Sequence, residues 1–188
     1  GLDVQVMGSG NVSGLSIGGN TISGNGQNGG NGVTFHTSNG VTSQITASLL
    51  SNMITNNFGL GVSALAEGGS ITLTQLENNI INANAGGVEL TATQGGSLTA
   101  RITNNSVSNS QNGTGMDAHG IAVTADNSNV LLHEVALNNI ANNEGDGLQL
   151  NAINGGVLMV TPNEDSNSNT VLDLGEDFNE DLDADGQL

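Results

Sequence analysis

Asp165, Asn167, Asn169, Asp173 and Glu176 put oxygen-bearing side chains at positions 1, 3, 5, 9 and 12 of a twelve-residue stretch, and Val171 stands at position 7 with only its carbonyl to offer. A hard cation takes about six to eight oxygen ligands, and alternate residues of a turning loop aim several of them at one centre, so this spacing predicts a calcium site. Sixteen residues on (181 − 165), Asp181, Asp183, Asp185 and Gln187 begin the same phrase, and Gly186 supplies the position-6 glycine that Thr170 replaces in the first copy. A solvated acidic linker is the plain alternative, and Asp177 and Asn179 permit another register for individual ligands.

Acid–base chemistry on a polymer has few candidates. A lyase needs a base to take a proton beside a uronic carboxylate and cations to stabilise the charge that develops; Arg101 is the only Lys or Arg in the chain. On an acidic surface it is expected to pair with a nearby carboxylate such as Glu77. Hydrolysis of a glycoside needs two facing carboxylates, for which Asp117, Glu144 and Asp146 are available near one variable corner. His119 beside Asp117 is a candidate base or ligand, whereas His36 and His133 fall at other points of the repeat. Tryptophan and tyrosine, on which sugar rings commonly rest, are absent. The residues therefore point away from an enzyme.

The elements that position these groups follow from a repeat. Glycine returns at Gly1, Gly32, Gly61, Gly87, Gly120 and Gly147, each time followed by alternating apolar residues such as Val33/Phe35, Val88/Leu90 and Ile121/Val123. Asparagine runs in step at Asn20, Asn52, Asn79, Asn105 and Asn139. From glycine to the next asparagine the steps are 19, 20, 18, 18 and 19; from asparagine to the next glycine they are 12, 9, 8, 15 and 8. Two columns in register predict a solenoid, and all the length variation falls at one corner. Enlarged corners at Ser23 to Asn31 and at Ser108 to His119 could together rim a shallow polar groove, since insertions on solenoids gather on one face, and tolerated loop growth is the plain alternative.

Within each coil, runs of four to six alternating residues read as three short strands: Asn-x-Ile, the run after the glycine, and a third run such as Ser70-Ile71-Thr72-Leu73 or Ser97-Leu98-Thr99-Ala100. Gly68-Gly69, Gly95-Gly96 and Gly155-Gly156 mark the bend before the third run. Asparagine suits the other bend, because it tolerates the left-handed region and its amide can bond the same amide one coil away. Thr34, Thr72, Thr74, Thr91 and Thr99 are expected not to share one register.

Composition sets limits on partners. The 188 residues carry 18 acids against one base, for a formal charge of −17, with no cysteine. Nucleic acid should be repelled, cysteine metal sites and thiol chemistry are excluded, and no apolar run of about 18 residues is present to span a membrane.

The phrases Ile54-Thr55-Asn56, Val107-Ser108-Asn109 and Ile22-Ser23-Gly24-Asn25, each leading to a Gly-Val or Gly-Ile pair, resemble the parallel-β-helix repeats of the pectate-lyase-like superfamily. The resemblance implies an all-β, right-handed single-stranded parallel β-helix of about five to six coils over residues 1–161. Residues 162–188, with nine of the 18 acids past Pro162, form an acidic, loop-rich, EF-hand-like calcium-binding tail. That tail is similar to dockerin and thrombospondin type 3 repeats. The superfamily spans lyases, hydrolases, adhesins and inert spacers, so fold alone assigns no activity. The expected role is a non-enzymatic, secreted or cell-surface structural module, a stiff spacer associating through calcium at its tail or through its ends. Its expected partners are a second copy stacked end to end or other segments of a longer surface protein. A carbohydrate-active or glycan-binding adhesin β-helix, with polysaccharide held at the variable corners, is the alternative.

Overall fold

The computed structural model describes residues 1–26, 29–38, 42–111 and 118–161. All calcium-ligand candidates, Asp165 to Gln187, and the corner residue Asp117 therefore lie outside the described residues.

The described residues form a parallel β-helix of about five turns, without a helix among them. Three parallel sheets run its length. The first collects the strands that follow the glycine column: Leu2–Met7, Val33–Ser38, Leu60–Glu67, Gly86–Thr93, Ile121–Asp126 and Leu148–Ile153. The second holds Asn11–Gly18, Gln44–Leu50, Ser70–Glu77, Ser97–Thr103, Asn129–Ala136 and Val157–Val160. The third is narrow, with Thr21–Ser23, Met53–Thr55, Ile80–Asn82, Ser106–Ser108 and Asn139–Ala141. The fold class and the three-strand coil predicted from the repeat are those observed.

Parallel in-register pairing puts like residues on like, so period-2 alternation becomes continuous columns. In the first sheet Val4, Phe35, Ala64, Leu90, Val123 and Leu150 align inward. The second sheet aligns Val12, Ile45, Ile71, Leu98, Val130 and Leu158, and the third aligns Ile22, Ile54, Ile81, Val107 and Ile140. Side chains in the middle coils are sealed, each contributing about 1.5–3 kcal/mol. Small residues offset large ones: Ala64 lies beside Phe35 in its column.

The recurring glycines Gly1, Gly32, Gly61, Gly87 and Gly120 are there for close approach, whereas an added Cβ at Gly147 would meet only Ile140, at 3.6 Å. A Cβ on Gly32 would lie 2.6 Å from the carbonyl oxygen of Gly61, and one on Gly120 the same distance from that of Gly147, with Ile54 or Ile140 crowding from inside the coil. No side chain fits between successive coils at that corner.

Two bends per coil repeat one device, a left-handed residue followed by an inward asparagine. At the first bend Gly19, Ser51, Asn78, Asn104 and Leu137 have φ between 54° and 67°. At the second, Gly24, Asn56, Ala83, Asn109 and Asn142 do the same. The residue after each turns inward, an asparagine at every bend except that of Ser110. Asn20, Asn52, Asn79, Asn105 and Asn138 form one ladder, in which each backbone N–H donates to the next coil's Oδ1 at 2.9–3.0 Å. Asn25, Asn57 and Asn84 form a second, with Ser110 donating to Asn143 further along.

Two expectations are corrected here. Asn138, not Asn139, fills the last place in the first column, because Asn139 pairs as a strand residue opposite Ser106. In the phrases Ile54-Thr55-Asn56 and Val107-Ser108-Asn109 the asparagine is the left-handed residue, and the inward place belongs to the residue after it, Asn57 in the first case and Ser110 in the second. As expected, the five threonines do not share one register: of them only Thr72 and Thr99 align, together with Thr46, on the outer face of the second sheet. Thr34 and Thr91 lie on the first sheet, and Thr74 is an extra residue in a bulge.

Candidate functional site

Between the third and first sheets the corners differ in length: nine residues (24–32), four (56–59), three (83–85), twelve (109–120) and six (142–147). Two short corners are thus flanked by two long ones, as the spacings predicted. Hydrogen bonds stack them. Phe58 N–H donates to Asn25 O at 3.2 Å, Gly59 N–H to Gly30 O at 3.0 Å, and Leu60 N–H to Asn31 Oδ1 at 2.8 Å. Ala85 N–H donates to Gly59 O at 2.9 Å and Gln111 N–H to Asn84 O at 3.0 Å. On this floor a recess of about 270 Å³ opens around Phe58 and Gln111.

At the twelve-residue corner the structure brings together His119 and Asp146. His119 Nδ1 accepts the Asp146 backbone N–H at 2.9 Å, so a neutral ring carries its proton on Nε2. The Asp146 carboxylate lies 3.7 Å from the same nitrogen and is two-thirds exposed. Glu89, which no motif or spacing singles out, joins this group. Burial pushes the Glu89 carboxyl above the ordinary carboxylate range, while a hydrogen bond from Thr91 and the charge of His119 pull the other way. It stands on the outer face of the first sheet, between Ser63 and Ala122. A carboxyl with a raised pKa near an imidazole can hold and exchange a proton.

The chain's one guanidinium is elsewhere. Arg101 projects from the second sheet and pairs with Glu134, Nε to Oε2 at 2.6 Å, which corrects the expected Glu77 pairing. A bulge explains it: His133 is an extra residue, so Arg101 falls opposite Glu134, while Glu77 sits opposite Thr103 and accepts from Gln75. A third ionisable group on the first sheet joins three coils, with His36 Nε2 3.2 Å from Glu67 Oε2 and Gln94 donating to Glu67 Oε1. His36 and His119 form no cluster with each other, as the spacing implied. Among the described residues no group of three or more His, Asp or Glu is arranged to hold a metal, and no helix is long and apolar enough to cross a membrane.

The fold defines the class: this chain is a parallel β-helix. No protein-family model, no curated protein and no solved structure matches it.

Proposed function

We propose that the chain is a non-enzymatic structural module of an extracellular or cell-surface protein, a stiff β-helical spacer whose coil stack is continued end to end by a second copy or by other segments of a longer surface protein. One observation carries this reading: the apolar columns run to both ends of the described stack and lie open there. At one end Leu148 and Leu150 are 44% and 43% exposed, although Ile121 and Val123, one coil back in the same columns, are sealed. At the other, Leu2 is exposed and Val4, Val12 and Ile22 are only partly buried. Because every internal junction uses these same columns, the two open faces match each other in pattern. Direction matches as well, since the ladder donates from each coil to the next and so has its acceptor end at Asn20 and its donor end at Asn138. Unpaired strand edges on a solenoid invite such stacking.

Calcium belongs to this proposal. The acidic tail supplies carboxylates and amides and no nitrogen or sulfur ligand, the donor set of a hard cation. Bound calcium would reduce the repulsion that a chain of charge −17 exerts on its neighbours. Membership of the pectate-lyase-like superfamily and a dockerin-like tail are part of the same reading, supported by the repeated asparagine phrase and the loop spacing.

Sedimentation of two end variants tests the junction. Leu150→Asp and Leu158→Asp each put a charge on the open column and should keep the chain at one size under conditions where the parent grows. Growth unaffected by either would contradict stacking through the ends.

A further inference from the structure

We propose that Asn154, in the last described coil, is a self-modification site: its side-chain amide is lost by spontaneous deamidation through Gly155, and the aged bend no longer accepts a second copy. The chemical half of the proposal stands by itself, whereas the half that concerns association rests on the end-to-end reading above.

Asn154 and Gly155 are the central residues of the tight turn that leads into the last strand of the second sheet. Their φ angles are 50° and 81°, Gly156 N–H closes the turn by donating to Ile153 O at 2.8 Å, and both residues are exposed. Asn-Gly is the favoured pair where two successive φ angles are positive, so the preference that shapes the turn also creates a reactive dipeptide. Glycine carries no side chain to hinder its own nitrogen. The Gly155 peptide nitrogen attacks the side-chain carbonyl carbon of Asn154, the amide nitrogen departs as ammonia with the peptide proton, and a five-membered succinimide forms. Water reopens the ring to aspartate or isoaspartate, so the sum is amide and water to acid and ammonia.

The fold discriminates among the Asn-Gly pairs. At Asn31-Gly32 the attacking nitrogen is buried and donates to Leu60 O at 2.9 Å, while the Asn31 amide accepts from Leu60 N–H at 2.8 Å and donates to Thr34 at 3.1 Å. Asn25 holds its amide in the second ladder, donating to Asn57 Oδ1 at 2.7 Å. Asn154 instead donates to Asp126 Oδ1 at 2.7 Å on the exposed surface, where water replaces such a bond at small net cost. The same turn recurs two coils back as Gln94-Gly95-Gly96, with φ of 54° and 77° and Gly96 N–H donating to Thr93 O at 2.9 Å. A glutamine would have to close a six-membered imide, which forms far more slowly.

Stacking and ageing oppose each other. Gly8, Gly68 and Gly95 at this bend donate their N–H to the next coil, to Ser38 O, Thr93 O and Asn127 O at 3.0–3.1 Å. A coil added beyond Gly155 would engage its N–H in the same way and withdraw the nucleophile. Once formed, an aspartate at this place loses the donor to Asp126 and sets a second carboxylate against it, and like charges on neighbouring coils repel. An isoaspartate lengthens the main chain at the turn that sets the register between the first and second sheets. Either product spoils the match to the next coil.

The test ages the full chain in mildly alkaline buffer, with and without urea, and follows each Asn-Gly pair by fragmentation mass spectrometry. In the folded chain Asn154 should convert about tenfold or more faster than Asn31 and Asn25. In urea the three rates should draw together, and Asn154→Gln should keep the fold without converting at this place. An intact Asn154, or equal rates in the folded chain, overturns the chemical half. Sedimentation under conditions where the fresh parent grows tests the other half: the aged chain and Asn154→Asp should stop at a smaller size, and the grown parent should convert more slowly than the dispersed one. Growth of aged and fresh chains to the same size overturns the link to association. A fresh parent that never grows overturns end-to-end stacking and that link together, and conversion at Asn154 then still decides the chemical half.

Discussion

Asn79 accepts on its single side-chain oxygen both the backbone N–H of Asn52, at 2.9 Å, and the side-chain amide of Asn52, at 3.0 Å. Its own amide nitrogen donates back to Leu49 O at 2.8 Å and onward to Asn105 Oδ1 at 3.0 Å. One buried side chain therefore satisfies groups in coils on either side of it.

Removing it should be costly. Asn79→Ala leaves the buried Asn52 N–H and the Leu49 carbonyl without these partners, and each unsatisfied buried group costs about 1–3 kcal/mol. We expect a loss of roughly 2–5 kcal/mol in denaturant unfolding, against less than about 0.5 kcal/mol for Asn129→Ala on the exposed outer face. Equal losses would show that the ladder is not a principal support.

Leu137 has φ of 57° and is 79% exposed. Gly19, Ser51, Asn78 and Asn104 hold the same place in the other coils. A leucine there incurs the left-handed penalty of about 1–2 kcal/mol and buries little in return. Leu137→Asn or Leu137→Gly should raise the thermal midpoint, with a gain of about 1 kcal/mol. A lower midpoint for both would contradict the assignment of this bend.

Glu89 gives a pH signature with a definite sign. Its carboxyl is raised above the ordinary value of 4.5, first by burial, so the folded state holds the proton more tightly than the unfolded chain. That favourable contribution is present in full below 4.5 and is lost as pH rises through the folded value. Glu89→Gln stays neutral at every pH and should gain stability relative to the parent as pH rises above 4.5, the difference closing as pH falls back toward 4.5. A gap that is constant with pH would mean that Glu89 is not the titrating group.

The Arg101–Glu134 pair should matter little. With the Arg101 side chain 44% exposed and the Glu134 side chain 13% exposed, an ion pair at this surface contributes within about 1 kcal/mol after solvent screening. Arg101→Ala should change stability by no more than that, and the difference should shrink further in salt.

How much was legible beforehand depended on whether a residue acts through the repeat or across it. The glycine column revealed the coil because a close approach between coils leaves no room for any substitute, so the same residue must recur. Asn138-Asn139 was ambiguous for a physical reason: asparagine fits the inward ladder, the left-handed bend and a strand's outer face alike. Register decides among these, and the left-handed residue before each ladder member, Leu137 in this coil, was the available clue. Arg101 found Glu134 because an extra residue, His133, shifts the register by one, and a one-residue bulge has no composition signal. Glu89 looked like any outward strand residue between Val88 and Leu90. Its raised carboxyl comes from burial, against which Thr91 and the charge of His119 from the next coil pull the other way. Phe58 did carry a signal, an aromatic at one of the shortest corners between two enlarged ones.

Calcium-dependent stacking of the coils is decided by sedimentation velocity of the parent chain, run once in calcium and once in a chelator. Stacking predicts growth in calcium that reverses on chelation and is absent in Leu150→Asp. A single unchanged size in both buffers, at concentrations up to those of a crowded surface, would contradict calcium-dependent assembly.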